Sequence, residues 1–196
     1  MLLKRDVGKL VDPADLGSAA KRRESSNLSI PTIKQILYMN IALVAHDGRK
    51  QEMLEWVTYN YKKLSQHNLY ATGTTGRLIK SITTWEDNDS IKPKIIYPFE
   101  DKVTCLLSGP LGGDSQISAM IAEGKIDVLV FFCDNLITQG HQQDVGALSR
   151  LASLYNIAFA TNRTTADMIL TSPLFDNPNY ERIIPSAIDK YKNRQL

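Results

Sequence analysis

The chain has little of several features that mark specialised classes of protein. Its 196 residues include only two cysteines, too few for a disulfide-rich secreted scaffold. A net charge of +2 is too small to indicate a nucleic-acid partner. The longest apolar run, Ile126–Cys133, has the length of a strand, whereas a membrane-spanning helix needs about 20 residues. The first residues are soon charged, unlike a secretory signal, so we expect a cytoplasmic protein with neither nucleic-acid nor membrane partners.

The composition is otherwise that of an ordinary globular protein. Hydrophobic residues make up 43% and charged residues 22%, and the length suits one domain with additions. Cys105 and Cys133 lie in apolar segments, so we expect both to be reduced thiols in the core. Residues 1–38 carry seven Lys or Arg against four Asp or Glu. We expect them to form a solvated, partly disordered extension, with the domain at residues 39–196.

From Met39 onward, short apolar segments alternate with helical patterns. The apolar segments are rich in Val, Ile, Leu and Phe on both faces, which is typical of buried parallel strands. The alternation predicts an α/β fold, a three-layer, doubly wound sheet of about five mainly parallel strands. The predicted strands are Asn40–Ala45, Asn68–Thr72, Val103–Leu107, Asp127–Cys133 and Ile157–Thr161.

The intervening segments show the three- and four-residue spacing of amphipathic helices. The predicted helices are Gln51–Leu64, Gln116–Glu123, Asp144–Tyr155, Ala166–Leu170 and the tail after Pro185. One charged segment with two prolines, Thr83–Lys102, is longer than a connection requires. We expect an insertion there, either a β-hairpin or a mobile flap, and assign it no chemical role.

Open parallel sheets bind ligands beyond the carboxyl ends of their strands, so we expect the site residues to follow the predicted strands directly. The turn Thr72-Gly73-Thr74-Thr75-Gly76 offers small residues, hydroxyls and a helix start, which suit a phosphate. When this turn is taken alone, an ordinary strand-to-helix turn with Thr as the N-cap is the better explanation. Ser108-Gly109 and Lys50 would add a second hydroxyl-bearing turn and a cation, and the combination favours an anion site.

Acidic and imidazole side chains follow the same strand ends. Asp114 follows two glycines, where it could cap a helix, act as a general base beside a phosphate, or do both. His46 and His141 lie in strand-end loops, where a neutral imidazole could polarise a carbonyl, whereas His67 lies at the far end and is expected to be structural. His46, Asp47, His141 and Asp144 could hold a metal, but hydroxyls, lysine and glycine turns suit phosphate better, and we expect no metal.

Taken together and in this order, these segments resemble the methylglyoxal synthase family from about Met39 onward. The resemblance implies a lyase that converts dihydroxyacetone phosphate to methylglyoxal and inorganic phosphate without a metal or organic cofactor. It is carried by the stretches Ile41-Ala42-Leu43-Val44-Ala45-His46-Asp47, Leu69-Tyr70-Ala71-Thr72-Gly73-Thr74-Thr75-Gly76, Leu107-Ser108-Gly109-Pro110, Gly112-Gly113-Asp114, Glu123-Gly124-Lys125-Ile126-Asp127-Val128, Ala160-Thr161-Asn162 and Thr165-Ala166-Asp167.

The resemblance also implies roles for individual residues. Asp114 matches the catalytic base, and His141 matches the residue that hydrogen-bonds the substrate oxygens. Arg194 matches an arginine that reaches a neighbouring subunit's site, which implies a homo-oligomer, commonly a hexamer. The remaining matches are substrate or phosphate contacts at His46, Lys50, Thr72, Gly73, Thr74, Thr75, Ser108 and Gly109, with supporting carboxylates at Asp47 and Asp144.

The segment around His141 departs from the family pattern. Where the family has Trp-Asp-Pro-Leu and His-Asp-Pro-Asp, this chain has Cys133-Asp134-Asn135-Leu136 and His141-Gln142-Gln143-Asp144, so both prolines are absent. The same fold also serves as a non-catalytic ligand-sensing module, as in carbamoyl phosphate synthetase. A phosphate or nucleotide sensor is therefore the alternative function, although a sensor needs neither a carboxylate base nor a partner imidazole.

Overall fold

The computed structural model describes residues 38–86, 94–136 and 142–194. The strands are β1 (Asn40–Ala45), β2 (Asn68–Ala71), β3 (Thr84–Glu86), β4 (Lys94–Ile96), β5 (Val103–Cys105), β6 (Val128–Phe132) and β7 (Ala158–Ala160). The α-helices are α1 (Lys50–Tyr59), α2 (Tyr61–Leu64), α3 (Gly73–Lys80), α4 (Gly113–Ala122), α5 (Gln142–Leu154), α6 (Arg163–Thr171) and α7 (Ser186–Lys192). The predicted extension at residues 1–38 lies outside the described residues, apart from Tyr38.

Five strands form one parallel sheet in the order β5-β2-β1-β6-β7. This confirms the predicted sheet, and all five predicted strands lie within two residues of their observed ends. From β1 the chain adds β2 and then β5 on one side of the sheet, and it then adds β6 and β7 on the other side. The order of the strands therefore reverses between β1 and β6. In such sheets the crevice beyond the carboxyl ends, near this reversal, is where ligands bind.

Helices cover both faces of the sheet, because side chains along a strand alternate between its faces. Ile41 and Leu43 of β1 pack with residues of α1, α3 and α6, whereas Ala42 and Val44 pack with residues of α4 and α5. The two cores together make three layers, as the sequence predicts. None of the helices in the described ranges is long and apolar enough to cross a membrane.

The predicted insertion contains a β-hairpin, which is one of the two alternatives that the sequence left open. β3 and β4 pair antiparallel, with Trp85 opposite Ile95. Phe99 follows the hairpin and is fully buried in the core that α1 and α3 also form. The connecting residues 87–93 lie outside the described residues.

Two expectations about local structure are wrong. The predicted helix Gln51–Leu64 is interrupted at Asn60, whose backbone N–H and side-chain amide both donate to the Trp56 carbonyl, at 3.1 and 2.9 Å. Local side-chain bonds of this kind favour the end of a helix over its continuation. Cys105 is exposed rather than buried, because β5 is the edge strand of the sheet. Cys133 is buried as expected, and desolvation raises the pKa of its thiol to about 11.

His67 has the structural role that the sequence predicts. It is 4% exposed and lies before β2, at the end of the sheet away from the candidate site. Its Nδ1 accepts a hydrogen bond from the backbone N–H of Met39 at 3.3 Å, and its ring packs edge-on against Phe175. Burial lowers the pKa of the imidazole, so the neutral ring is favoured.

Candidate functional site

The carboxyl ends of β1, β2 and β6, with the turn that follows β5, enclose a cavity of about 310 Å³. Three loops contribute most of its wall, and each leads into a helix. The lining residues are Val44, Ala45, His46, Asp47, Lys50, Thr72, Thr74, Thr75, Ser108, Gly109, Pro110, Asp114 and Phe131. The strand-end turns that the sequence singled out therefore meet at one place.

The start of α3 forms one side of the cavity. Thr72 is the N-cap residue, in extended backbone conformation, and its hydroxyl makes no capping hydrogen bond within the described part of the chain. The predicted N-cap position is therefore correct, whereas the capping bond is missing. Thr75 is 1% exposed, yet its Oγ1 has no hydrogen-bond partner among the described residues. A buried hydroxyl without a partner is unfavourable unless a ligand supplies one.

The turn after β5 lies next to the start of α3 and forms the adjoining part of the wall. The Ser108 carbonyl accepts hydrogen bonds from the N–H groups of Leu111, at 2.9 Å, and Gly113, at 3.0 Å. Gly112 adopts a left-handed conformation with φ of 96° and is the N-cap of α4. Of the alternatives that the sequence left open for Asp114, the N-cap position is taken by Gly112, because the left-handed glycine starts the helix earlier. Asp114 is instead the second residue of α4, where the helix dipole favours a carboxylate.

The loop after β1 contributes charge and an imidazole. Lys50 Nζ lies 2.5 Å from Asp47 Oδ1, and this hydrogen bond with its opposite charge lowers the pKa of Asp47. His46 Nδ1 accepts a hydrogen bond from the backbone N–H of Asp134 at 2.8 Å. In the neutral imidazole the proton is therefore on Nε2, so His46 can donate a hydrogen bond from that atom.

This arrangement suits an anionic ligand that also carries a reactive polar group. The N-termini of α3 and α4 border the cavity, and the Lys50 ammonium, paired with Asp47, lies in its lining. The hydroxyls of Thr72, Thr74 and Thr75 lie on the same wall. Asp114 adds a carboxylate to the lining and His46 a neutral donor, so acid–base chemistry beside a bound anion is possible.

The cavity brings together most of the residues that the sequence predicted for the site. Gly73 does not line it, but its N–H donates to the Leu107 carbonyl at 3.0 Å and joins the two turns that the sequence predicts to bind an anion. The guanidinium of Arg194 stacks over the Tyr191 ring, and Arg194 does not line the cavity of its own chain. His141 lies outside the described residues, and Asp144 lies in α5 with its side chain outside them. The predicted residues in the lining are His46, Asp47, Lys50, Thr72, Thr74, Thr75, Ser108, Gly109 and Asp114.

Sequence reasoning missed Phe131 and Asp134. Phe131 lies in β6, lines the cavity and packs edge-on against the His46 ring, with ring centres 4.9 Å apart. Its position in an apolar strand gave no signal other than burial. Asp134 acts through its backbone N–H on His46, and a contact of this kind depends on the pairing of β1 with β6.

Comparison with known proteins gives one consistent result. The model of the MGS-like domain family matches residues 96–161. Methylglyoxal synthase from Yersinia enterocolitica is 47% identical over 155 residues, which cover 76% of this chain and 91% of that protein. Methylglyoxal synthase from Proteus mirabilis is 50% identical over 148 residues, which cover 72% of this chain and 87% of that protein.

A solved structure agrees with the sequence relatives. The crystal structure of methylglyoxal synthase from Elizabethkingia anophelis superimposes with a TM-score of 0.67 and 39% sequence identity, covering 81% of this chain and 93% of that chain. The sequence identity extends across nearly the whole length of these relatives. The chain therefore belongs to the methylglyoxal synthase family.

Proposed function

We propose that the strand-end cavity converts dihydroxyacetone phosphate to methylglyoxal and inorganic phosphate, with Asp114 as the base. As a member of its family the chain is a carbon–oxygen lyase, and the assignment of individual steps to residues is the proposal. The reaction is redox-neutral and consists of proton transfers and one C–O cleavage. We therefore propose that it needs neither a metal nor an organic cofactor.

The observation that carries the proposal is the unpartnered hydroxyl of Thr75. It lies in the wall of a cavity that also contains two helix N-termini and Lys50. A phosphate oxygen supplies the missing partner, while the lysine and the helix N-termini balance its charge. The cavity volume of about 310 Å³ suits a triose ester and is at the lower end for ligand sites.

The first proposed step removes a proton from C3, the hydroxymethyl carbon next to the substrate carbonyl. Asp114 takes the proton, and the C–H electron pair forms the double bond of an ene-diolate while the carbonyl oxygen gains negative charge. An aspartate with an ordinary pKa near ~3.9 is too weak a base to do this unaided. Donors that are already in place must stabilise the developing oxyanion, and His46 Nε2–H is one of them.

The second proposed step expels phosphate. The C3 hydroxyl proton first passes to the C2 oxygen, which leaves the negative charge on the C3 oxygen. An electron pair of that oxygen forms the aldehyde C=O at C3, the C2=C3 pair moves to form C1=C2, and the C1–O bond pair leaves with the phosphate. The resulting enol then tautomerises to methylglyoxal. Expulsion requires the C1–O bond to stand roughly perpendicular to the ene-diolate plane, so that it overlaps the π system. We propose that Thr74, Thr75 and the Ser108-Gly109 turn hold the phosphate in this position and stabilise its departing charge.

Further parts of the proposal come from the family resemblance. His141 would hydrogen-bond the substrate oxygens, and Asp47 and Asp144 would support the site. Arg194 would reach the site of a neighbouring subunit in a homo-oligomer, commonly a hexamer; its position outside the cavity of its own chain is compatible with this. The chain would act in the cytoplasm, where its two free thiols are stable.

The proposal is tested by incubating the protein with dihydroxyacetone phosphate in excess EDTA. We expect methylglyoxal and free phosphate to appear in equal amounts, because each elimination yields one of each. Methylglyoxal is measured as a trapped derivative and phosphate by colorimetry. Phosphate binding without turnover would instead support the sensor, and loss of turnover in EDTA would indicate a metal-dependent lyase.

Replacing Thr75 with valine tests the phosphate contact. The change keeps the shape of the side chain and removes the unpartnered Oγ1. We expect the dissociation constant for inorganic phosphate and the KM for substrate to rise about tenfold, which is typical of losing a hydrogen bond to a charged group. Stability should not fall, because no protein hydrogen bond is lost. Thr58→Val, at an exposed position on α1, is the matched control, and unchanged phosphate binding in Thr75→Val would contradict the contact.

A further inference from the structure

The segment Leu107–Gly109, called here the phosphate loop, contacts the first residues of two helices, α3 and α4. Its Leu107 carbonyl accepts a hydrogen bond from the Gly73 N–H of α3, at 3.0 Å. Its Ser108 carbonyl accepts one from the Gly113 N–H of α4, also at 3.0 Å. The Gly109 carbonyl accepts a third bond, from the Gly112 N–H at 2.8 Å. The three carbonyls of the loop are therefore bonded, whereas the N–H groups of Ser108 and Gly109 and the Ser108 hydroxyl have no partner among the described residues and remain for a ligand.

One side chain completes this connection. Gln116 lies on α4, two residues after Asp114, and its Oε1 accepts a hydrogen bond from the Leu107 N–H at 2.8 Å. The helix that carries the proposed base thereby holds the loop that carries the proposed phosphate contacts. The bond is solvent-exposed, so water can replace Gln116 as the partner of this N–H. The bond therefore contributes little to global stability, and its main effect is on the position of the loop.

We infer that Gln116 is a positioning residue, which ties the phosphate loop to α4 and so fixes the phosphate relative to Asp114. The inference rests on the proposed function, because it concerns the same substrate and the same two steps. Without the Gln116 bond the loop is held to α4 only through the Ser108 carbonyl, so its Leu107 end can shift and the phosphate can move while C3 stays near Asp114. The C1–O bond then spends less time perpendicular to the ene-diolate plane. The rate of reprotonation of the intermediate therefore rises relative to the rate of phosphate expulsion.

The test replaces Gln116 with methionine, which matches the length of glutamine and removes the acceptor oxygen. Assays run in D₂O, where an ene-diolate that is reprotonated carries deuterium at C3 of the recovered substrate. We expect the ratio of deuterium uptake to phosphate release to rise roughly fivefold over that of the unmodified protein. The KM for substrate and the dissociation constant for inorganic phosphate should rise by a similar factor. The thermal midpoint should stay within about 2 °C of that of the unmodified protein.

Two control variants separate this role from a general loss of structure. Ser115→Ala changes the neighbouring exposed position on α4, and Gln66→Met removes an exposed glutamine that bonds the Lys62 carbonyl far from the site. Both should leave the deuterium ratio and phosphate binding unchanged. Gln116→Met with a lowered thermal midpoint but an unchanged ratio and unchanged phosphate affinity would overturn the inference. An unmodified protein that forms no methylglyoxal would overturn the proposed function instead.

Discussion

Asp114→Asn is expected to remove nearly all methylglyoxal formation while leaving phosphate binding intact. Asparagine has almost the same shape and fits the second position of α4, but its amide cannot accept the C3 proton. Loss of a general base reduces turnover by about 10²–10⁴-fold, and the upper part of this range is expected here because no other described carboxylate except Asp47 lines the cavity. Steady-state assays of methylglyoxal and phosphate measure the effect.

Inorganic phosphate provides the accompanying binding measurement. Removing a negative charge beside an anion site should leave phosphate affinity unchanged or increase it, and titration calorimetry measures this directly. Asp101→Asn, at an exposed position before β5 and outside the cavity, is the matched control and should keep full activity. Asp114→Asn that retains more than about a tenth of the turnover would show that another group takes the proton.

Most of the fold and much of the site could be predicted from the sequence, because both depend on local patterns. The strands β1 and β6 are apolar on both faces, as is typical of strands buried between two helical layers. Parallel strands bring their carboxyl ends to one edge. The polar turns after Ala45, Ala71 and Leu107 therefore had to lie near one another, whatever their distance along the chain.

The parts that could not be predicted depend on contacts between segments that are distant in sequence. The exposure of Cys105 depends on β5 having a neighbour on only one side, which the apolar character of the strand does not reveal. The tautomer of His46 depends on a backbone N–H that is 88 residues away. The start of α4 depends on the left-handed conformation of Gly112, and a sequence with two adjacent glycines does not tell which of them adopts it.

Gly113→Ala is expected to damage both stability and activity. A Cβ at this position would lie 1.9 Å from the Leu107 carbonyl oxygen and 2.8 Å from its carbonyl carbon. Both atoms are backbone, so no side-chain rotation relieves the overlap, and the phosphate loop and α4 must separate by about 1 Å or more. The hydrogen bond from the Gly113 N–H to the Ser108 carbonyl would be lengthened or lost.

We expect the free energy of unfolding of Gly113→Ala to fall by about 3 kcal/mol, and the thermal midpoint by about 6–12 °C. The kcat/KM for dihydroxyacetone phosphate should fall about 100-fold in the protein that remains folded, since a displacement of about 1 Å is enough for such a loss. Calorimetry and initial rates at 15 °C, where the variant stays folded, separate the two effects.

The matched control is Gly146→Ala on α5. A Cβ there meets no described atom within 4 Å, so alanine should keep activity and stabilise the helix by up to about 1 kcal/mol. The pair isolates the contact with Leu107 from the general effect of adding a methyl group to a helical glycine. Gly113→Ala with the same thermal midpoint and phosphate affinity as Gly146→Ala would show that α4 and the phosphate loop are not held at the distance described. Gly113 and Gln116 both connect the phosphate loop with α4. The same result would therefore also contradict the inference that α4 fixes the bound phosphate relative to Asp114.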